Sequence, residues 1–150
     1  MKLVLDTNIL LDYLIQREPF YESAALVMEL GFLGEFELWM STSQITDLIY
    51  VITEGGKPKL ANYAKGTMQQ IRRFIHVYAI DEVDYDAVAN STWSDLEDAF
   101  IYEAARNIRA DAIISRDKKG FQRSSIQVFT CEELFASLEG TGIVYGLEDL

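Results

Sequence analysis

Short apolar runs that end at an acid, separated by longer stretches with helical spacing, constrain this chain more than any other feature. Leu3-Val4-Leu5 stops at Asp6, and Ala112-Ile113-Ile114-Ser115 stops just before Asp117. A short run without polar alternation reads as a strand buried on both faces. Residues 36–40 and 75–79 predict two further strands, and a short fifth lies near Val128. The intervening sequence predicts helices over 8–15 (with Thr7 as cap), 21–33, 58–74, 81–90, 94–108 and 132–138. Ser41-Thr42-Ser43 supplies a hydroxyl cap for one more helix, which runs to about Thr53 and is stopped by Gly55-Gly56. Strands alternating with helices predict an α/β fold whose parallel sheet is covered on both faces. After Gly140, Ile143-Val144-Tyr145 reads as a strand or as a segment docked on the body.

No repeat, low-complexity tract or Pro/Gly-rich linker divides the 150 residues, so one domain over 1–150 is expected, long enough to bury a core without staples. Only three apolar residues follow Lys2 at the start, too few for a signal peptide, and no later run is long enough to span a membrane. Cys131 is the single cysteine, which excludes an intramolecular disulfide, suits a reducing cytoplasm and predicts a buried or capping thiol. His76 is the single histidine, which excludes a multi-histidine zinc cluster and leaves a structural role for its ring. The formal charge of −11 is unusual for a protein that holds nucleic acid by charge alone, and it equally favours a basic protein partner. Local basic groups remain, Arg116, Lys118, Lys119 and Arg123 in one segment and Lys57, Lys59 and Lys65 in another.

Asp6 and Asp117 fall where open parallel sheets bind ligands, just past the carboxyl ends of strands. Asp95 and Asp98 are three apart, on one helical face near the positive end of a helix dipole. Asp47 lies in the first turn of its own helix, where dipole compensation accounts for it. Singly, each acid reads as a turn or cap residue, and spacing alone does not gather them.

The segment Val4-Leu5-Asp6-Thr7-Asn8-Ile9-Leu10-Leu11-Asp12 resembles the opening of PIN-domain proteins, which include the toxin ribonucleases of VapBC-type toxin–antitoxin pairs. Ser43-Gln44-Ile45-Thr46-Asp47-Leu48, Asp95-Leu96-Glu97-Asp98-Ala99 and Ser115-Arg116-Asp117-Lys118-Lys119-Gly120-Phe121 resemble the second, third and fourth motifs of that family, in its order. The likeness covers roughly residues 1–138, leaving 139–150 as a C-terminal tail. It implies a three-layer α/β/α sandwich around a central, mostly parallel sheet. It also implies a ribonuclease that hydrolyses phosphodiester bonds of single-stranded or structured RNA, with an antitoxin protein as partner. Carried over motif by motif, Asp6, Asp47, Asp98 and Asp117 occupy the acidic positions, and Asp6, Asp98 and Asp117 become metal ligands. Asn8 and Ser115 become supporting polar groups, and Asp95 either a ligand or the helix cap. Arg116, Lys118 and Lys119 become candidate RNA contacts. Two departures stand out: Asp47 is one methylene shorter than the family's frequent Glu, and Ser115 replaces a more frequent Thr while keeping its hydroxyl.

Four carboxylates without cysteine or histidine suit a hard cation, Mg2+ or Mn2+. Two carboxylates about 5 Å apart repel by roughly 3 kcal/mol at an effective dielectric near 20, so raised pKa values are expected without metal. A haloacid-dehalogenase-type phosphatase wants a second acid two residues after the first, where this chain has Asn8. A phospho-accepting receiver domain places paired acids after the first strand, whereas Asp6 stands alone. The non-enzymatic alternative is a PIN-like scaffold that binds RNA or protein without cutting. The helices over 21–33 and 47–52 offer apolar surface for a homodimer.

Overall fold

Strand β1 (Lys2–Leu5) is the centre of a five-stranded sheet in which every pairing is parallel, in the computed structural model that describes residues 1–146. Its partners are β2 (Glu37–Ser41), β3 (Ile75–Tyr78), β4 (Ala112–Ile114) and β5 (Gln127–Phe129), in the order β3-β2-β1-β4-β5. The register sets Leu3 beside Leu38 and Ala112, and Val4 beside Trp39 and Ile113. Parallel neighbours require crossovers, which the helices supply: α1 (Thr7–Leu14), α2 (Tyr21–Phe32), α3 (Ile45–Ile52), α4 (Ala61–Ile71), α5 (Glu82–Ala89), α6 (Leu96–Asn107) and α7 (Cys131–Glu139).

Alternation along β1 divides the interior into two cores. Leu3 and Leu5, with Leu38, Met40, Ile75 and Ile114, face residues of α1, α2, α3, α4 and α7. Val4 and Ile113 point the other way, onto Ile101 and Ala105 of α6 and onto Phe121. This is the expected three-layer α/β/α sandwich, with a sheet parallel throughout the described residues. Each fully buried Leu or Ile stabilises it by about 1.5–3 kcal/mol. At Gly31 a Cβ would collide with the Leu38 side chain, whose Cγ lies 2.7 Å from that position, so the missing side chain is what lets α2 settle onto β2.

Helix starts differ from expectation in informative ways. Asp6, not Thr7, caps α1. Asp95 stands just outside α6 as its cap, so it does not share a helical face with Asp98 but turns back to accept from its amide. The 41–44 region forms a capping box between Ser41 and Gln44 around a short 3-10 turn ahead of α3. Cys131 is buried, and His76 stacks on Trp39 with ring centroids 4.9 Å apart. Residues 143–146 form no strand; Tyr145 docks edge-on against Phe36 at 5.9 Å and donates to Glu35. Residues 147–150 of the expected domain and tail lie outside the described residues. No helix among the described residues is long and apolar enough to cross a membrane.

Candidate active site

The chain runs outward from β1 through β2 to β3, then returns to the other side of β1 as β4. Connections therefore leave β1 and β4 in opposite directions and open a crevice beyond their carboxyl ends, where open α/β sheets bind ligands. Asp6 leaves β1 with its amide donating to the Ile114 carbonyl at 2.9 Å. Its Oδ1 accepts from the Thr7 amide at 2.7 Å, and its Oδ2 accepts from the Ser115 hydroxyl at 2.7 Å. Ser115 Oγ in turn accepts from the Asp117 amide at 3.0 Å. One buried hydroxyl thus fixes both strand-end acids relative to each other.

From the second core layer, α6 presents Asp98 to the same crevice, with Asp95 at its cap. Asp6, Asn8, Asp47, Asp95, Asp98 and Asp117 all line one cleft of about 580 Å³. Asp47, exposed like Asp95 and Asp117, sits in the first turn of α3 on the opposite wall. Gln44, 2 % exposed, secures that wall: its amide nitrogen donates to the Leu5 carbonyl at 2.8 Å and to the Thr7 hydroxyl at 3.2 Å.

No lysine or arginine is among the described residues lining this cleft. Its electrostatics follow from that. Burial pushes Asp98 up to about 7, helped by the charges of Asp6 and Asp95, a hydrogen bond with Asp95 and the charge of Asp117. Burial also raises Asp6, against the lowering effect of the Ser115 and Thr7 hydrogen bonds, while the charges of Asp117 and Asp95 add to the rise. Among the described residues no three His, Cys, Asp or Glu side chains already form a closed ligand set. An all-oxygen donor set lacking counter-charge is chemically matched to a hard divalent cation that keeps several of its waters.

Raised folded-state values mean that the folded protein binds protons which the unfolded chain, near 3.8, has released. The stability gained from this is complete below about pH 4 and is lost as pH rises through about 7. Asp98→Asn removes the proton-linked part. Its melting temperature relative to the parent, measured without metal, is expected to climb across that window and then level off. A constant difference across the window would contradict the raised value of Asp98.

The three basic candidates separate clearly. Arg116 is committed to Asp12 through two hydrogen bonds of 2.7 and 3.1 Å, and its guanidinium lies 3.9 Å over the Phe20 ring. Lys118 pairs with Glu133 at 2.9 Å. Lys119 has no side-chain partner among the described residues and borders a second cleft beside Asp95 and Asp117.

Four residues at the site were given no role from sequence: Gln44, Asp12, Glu97 and Gly120. The Ser41-to-Gln44 spacing is a readable capping-box signal. Gly120 has no local signal, because its requirement is a contact across the fold. A Cβ there would overlap Asp98 Oδ2, with Asp98 Cγ 3.0 Å and Asp95 Oδ2 3.6 Å away. Gly120→Ala is expected to turn the Asp98 carboxylate out of position. Any cleavage activity should fall at least about tenfold with only a small change in melting temperature, since the displaced group is a side-chain end rather than backbone. Unchanged turnover would show that the Asp98 position is not critical.

The sheet order, the two covering layers and the acidic cleft at the switch point define a doubly wound α/β/α domain built around clustered carboxylates. The model of the PIN domain family matches residues 2–119, and the chain belongs to that family. It is similar to ribonuclease VapC1 of Aquifex aeolicus (strain VF5), with 23% identity over 137 residues, covering 88% of this chain and 92% of that protein. FitAcB from Neisseria gonorrhoeae has the same fold at a TM-score of 0.67 and 17% identity, over 87% of this chain and 98% of that one. VapBC-1 from nontypeable Haemophilus influenzae matches at a TM-score of 0.62 and 22% identity, over 88% and 99%.

Proposed function

We propose that this PIN domain is a Mg2+- or Mn2+-dependent endoribonuclease and the toxin member of a toxin–antitoxin pair. The observation that carries the reading is the convergence of Asp6, Asp98 and Asp117 on one cleft without a lysine or arginine among its described lining residues. In this reading those three carboxylates hold the cation, and Asp95 shares a proton or a ligand position with Asp98. When bound, the cation supplies an acidified water and a positive charge facing the phosphate. Asp47, on the opposite wall, orients or deprotonates the water that attacks phosphorus in line with the departing oxygen. Asn8 offers its amide to that water, and Ser115 holds Asp6 and Asp117 at a fixed separation. Ribonuclease chemistry is supported by the family motifs and by the similarity to ribonuclease VapC1. The antitoxin partner is supported by the likeness to FitAcB and VapBC-1, and a net charge of −11 suits a basic partner.

The test is cleavage of a mixed RNA pool with and without Mn2+, with Asp6→Asn as control. Metal-dependent cleavage that this substitution removes is the expected result. RNA that is bound but not cut by the parent protein would place the chain with the non-catalytic alternative.

A further inference from the structure

We propose that the acidic cleft continues into a subsite for one unpaired nucleotide, whose base lies on Leu96 and whose phosphate faces Lys119. The inference rests on the nucleic-acid-cleaving reading and extends it. A second cleft, of about 490 Å³, adjoins the first and shares Asp95, Glu97 and Asp117 with it. Ser94 and Leu96 form one wall, at the start of α6, and Lys119, Gly120 and Gln122 form the other.

The chemistry of these walls differs from that of the carboxylate centre. Leu96 is 54% exposed, whereas Ala99, Ile101, Ala104 and Ala105 of the same helix are buried. A half-uncovered leucine at the mouth of a polar cleft, outside both core clusters, offers an apolar platform. The side chains of Ser94, Lys119 and Gln122 form no hydrogen bond or ion pair among the described residues, so their donors and acceptors remain available. The neighbouring cations differ, since Arg116 and Lys118 are neutralised by Asp12 and Glu133. Arg123 donates to the Thr92 hydroxyl and does not line this cleft, so Lys119 is the cation of this segment placed to meet a phosphate beside the acids.

A nucleotide matches all three features: an apolar base face for Leu96, a polar base edge for Ser94 and Gln122, and an anion for Lys119. A paired and stacked base has both faces covered and its edge engaged, so the occupant is an unpaired nucleotide. The shared Asp95 and Asp117 place it directly beside the carboxylate centre proposed to hold the cation.

Equilibrium binding of fluorescein-labelled single-stranded RNA, read by anisotropy with magnesium in an Asp6→Asn background, tests this without turnover. Lys119→Ala is expected to raise Kd about fivefold or more and to flatten the slope of log K against log salt by about 0.7, the loss of one single-strand phosphate contact. Leu96→Ala is expected to raise Kd by a similar factor with the slope unchanged, since an apolar contact releases no counterion. Arg106→Ala, at the far end of α6, serves as the reference and should move neither quantity. Equal Kd and slope in all four proteins, or no RNA binding by any of them, overturns the subsite. Metal-dependent cleavage by the wild-type protein alongside that result would leave the nuclease reading standing. Variant effects on binding without any wild-type cleavage would support the subsite and remove the nuclease.

Discussion

Asp6→Asn is expected to lower RNA cleavage by about 1000-fold or more while leaving the metal-free protein as stable as the parent or more so. The two halves have separate physical origins. Metal-assisted phosphodiester hydrolysis draws several kcal/mol of transition-state stabilisation from the cation, and each 1.36 kcal/mol is tenfold in rate. Removing one anionic ligand from a site with few of them forfeits much of that. Stability responds in the opposite sense because the acids repel. The introduced asparagine keeps an Oδ1 to accept from the Thr7 amide, so α1 retains its cap, and asparagine is as good a cap as aspartate. Ser115 keeps its acceptor role toward the Asp117 amide. What disappears is a buried charge facing Asp117 and Asp95, both of which push Asp6 upward, together with the acceptor of the Ser115 hydroxyl, where the asparagine Nδ2 donates to Ser115 Oγ instead. Asp98→Asn acts through the same cluster and should release on the order of 1–2 kcal/mol above pH 7, after allowance for screening by water in the open cleft. Thermal melts without metal, paired with initial cleavage rates in Mn2+, read both effects. Marked destabilisation of either metal-free variant would remove the repulsion, and residual cleavage near the parent rate would remove the ligand role.

The sheet was legible because burial on both faces leaves a plain mark: Leu3-Val4-Leu5 and Ala112-Ile113-Ile114 carry no polar residue, and all six are fully buried. Helix boundaries fell within a few residues for the same reason, through apolar spacing and punctuation such as Gly55-Gly56. The acids at 6 and 117 were legible as strand-end residues, but their nearness depends on β4 returning beside β1, a tertiary fact that the family likeness supplied and local spacing did not. Asp95 illustrates the limit. A three-residue spacing fits a shared helical face and equally a cap that bonds to its third amide, and only the backbone at 95, extended rather than helical, separates the two. Gly120 and Asp12 were illegible in role because each is defined by a partner about twenty or a hundred residues away.

Arg116 is where sequence and structure point most differently, and Arg116→Ala is expected to cost about 3–5 kcal/mol of stability rather than RNA affinity. Asp12 is buried in α1 with its side chain 1% exposed, and Arg116 meets it with both Nε and Nη2. Deleting the guanidinium leaves a buried carboxylate whose next cation, Arg17, stands 3.9 Å away, and breaking one side of a buried pair carries a penalty of that size. The Phe20 ring would lose its cationic cover as well. Arg116→Lys should recover only part of the loss, because an ammonium neither forms the two-pronged contact nor lies flat on the ring. Since Arg116 immediately precedes Asp117, the pair also anchors the loop that delivers one of the proposed ligands. Cleavage by Arg116→Ala, assayed well below its melting temperature, should therefore fall mainly in kcat. Denaturant midpoints and steady-state rates of the two variants separate this from direct substrate contact. A side chain that served RNA would leave the midpoint in place and raise KM alone, and that pattern would return Arg116 to the binding surface.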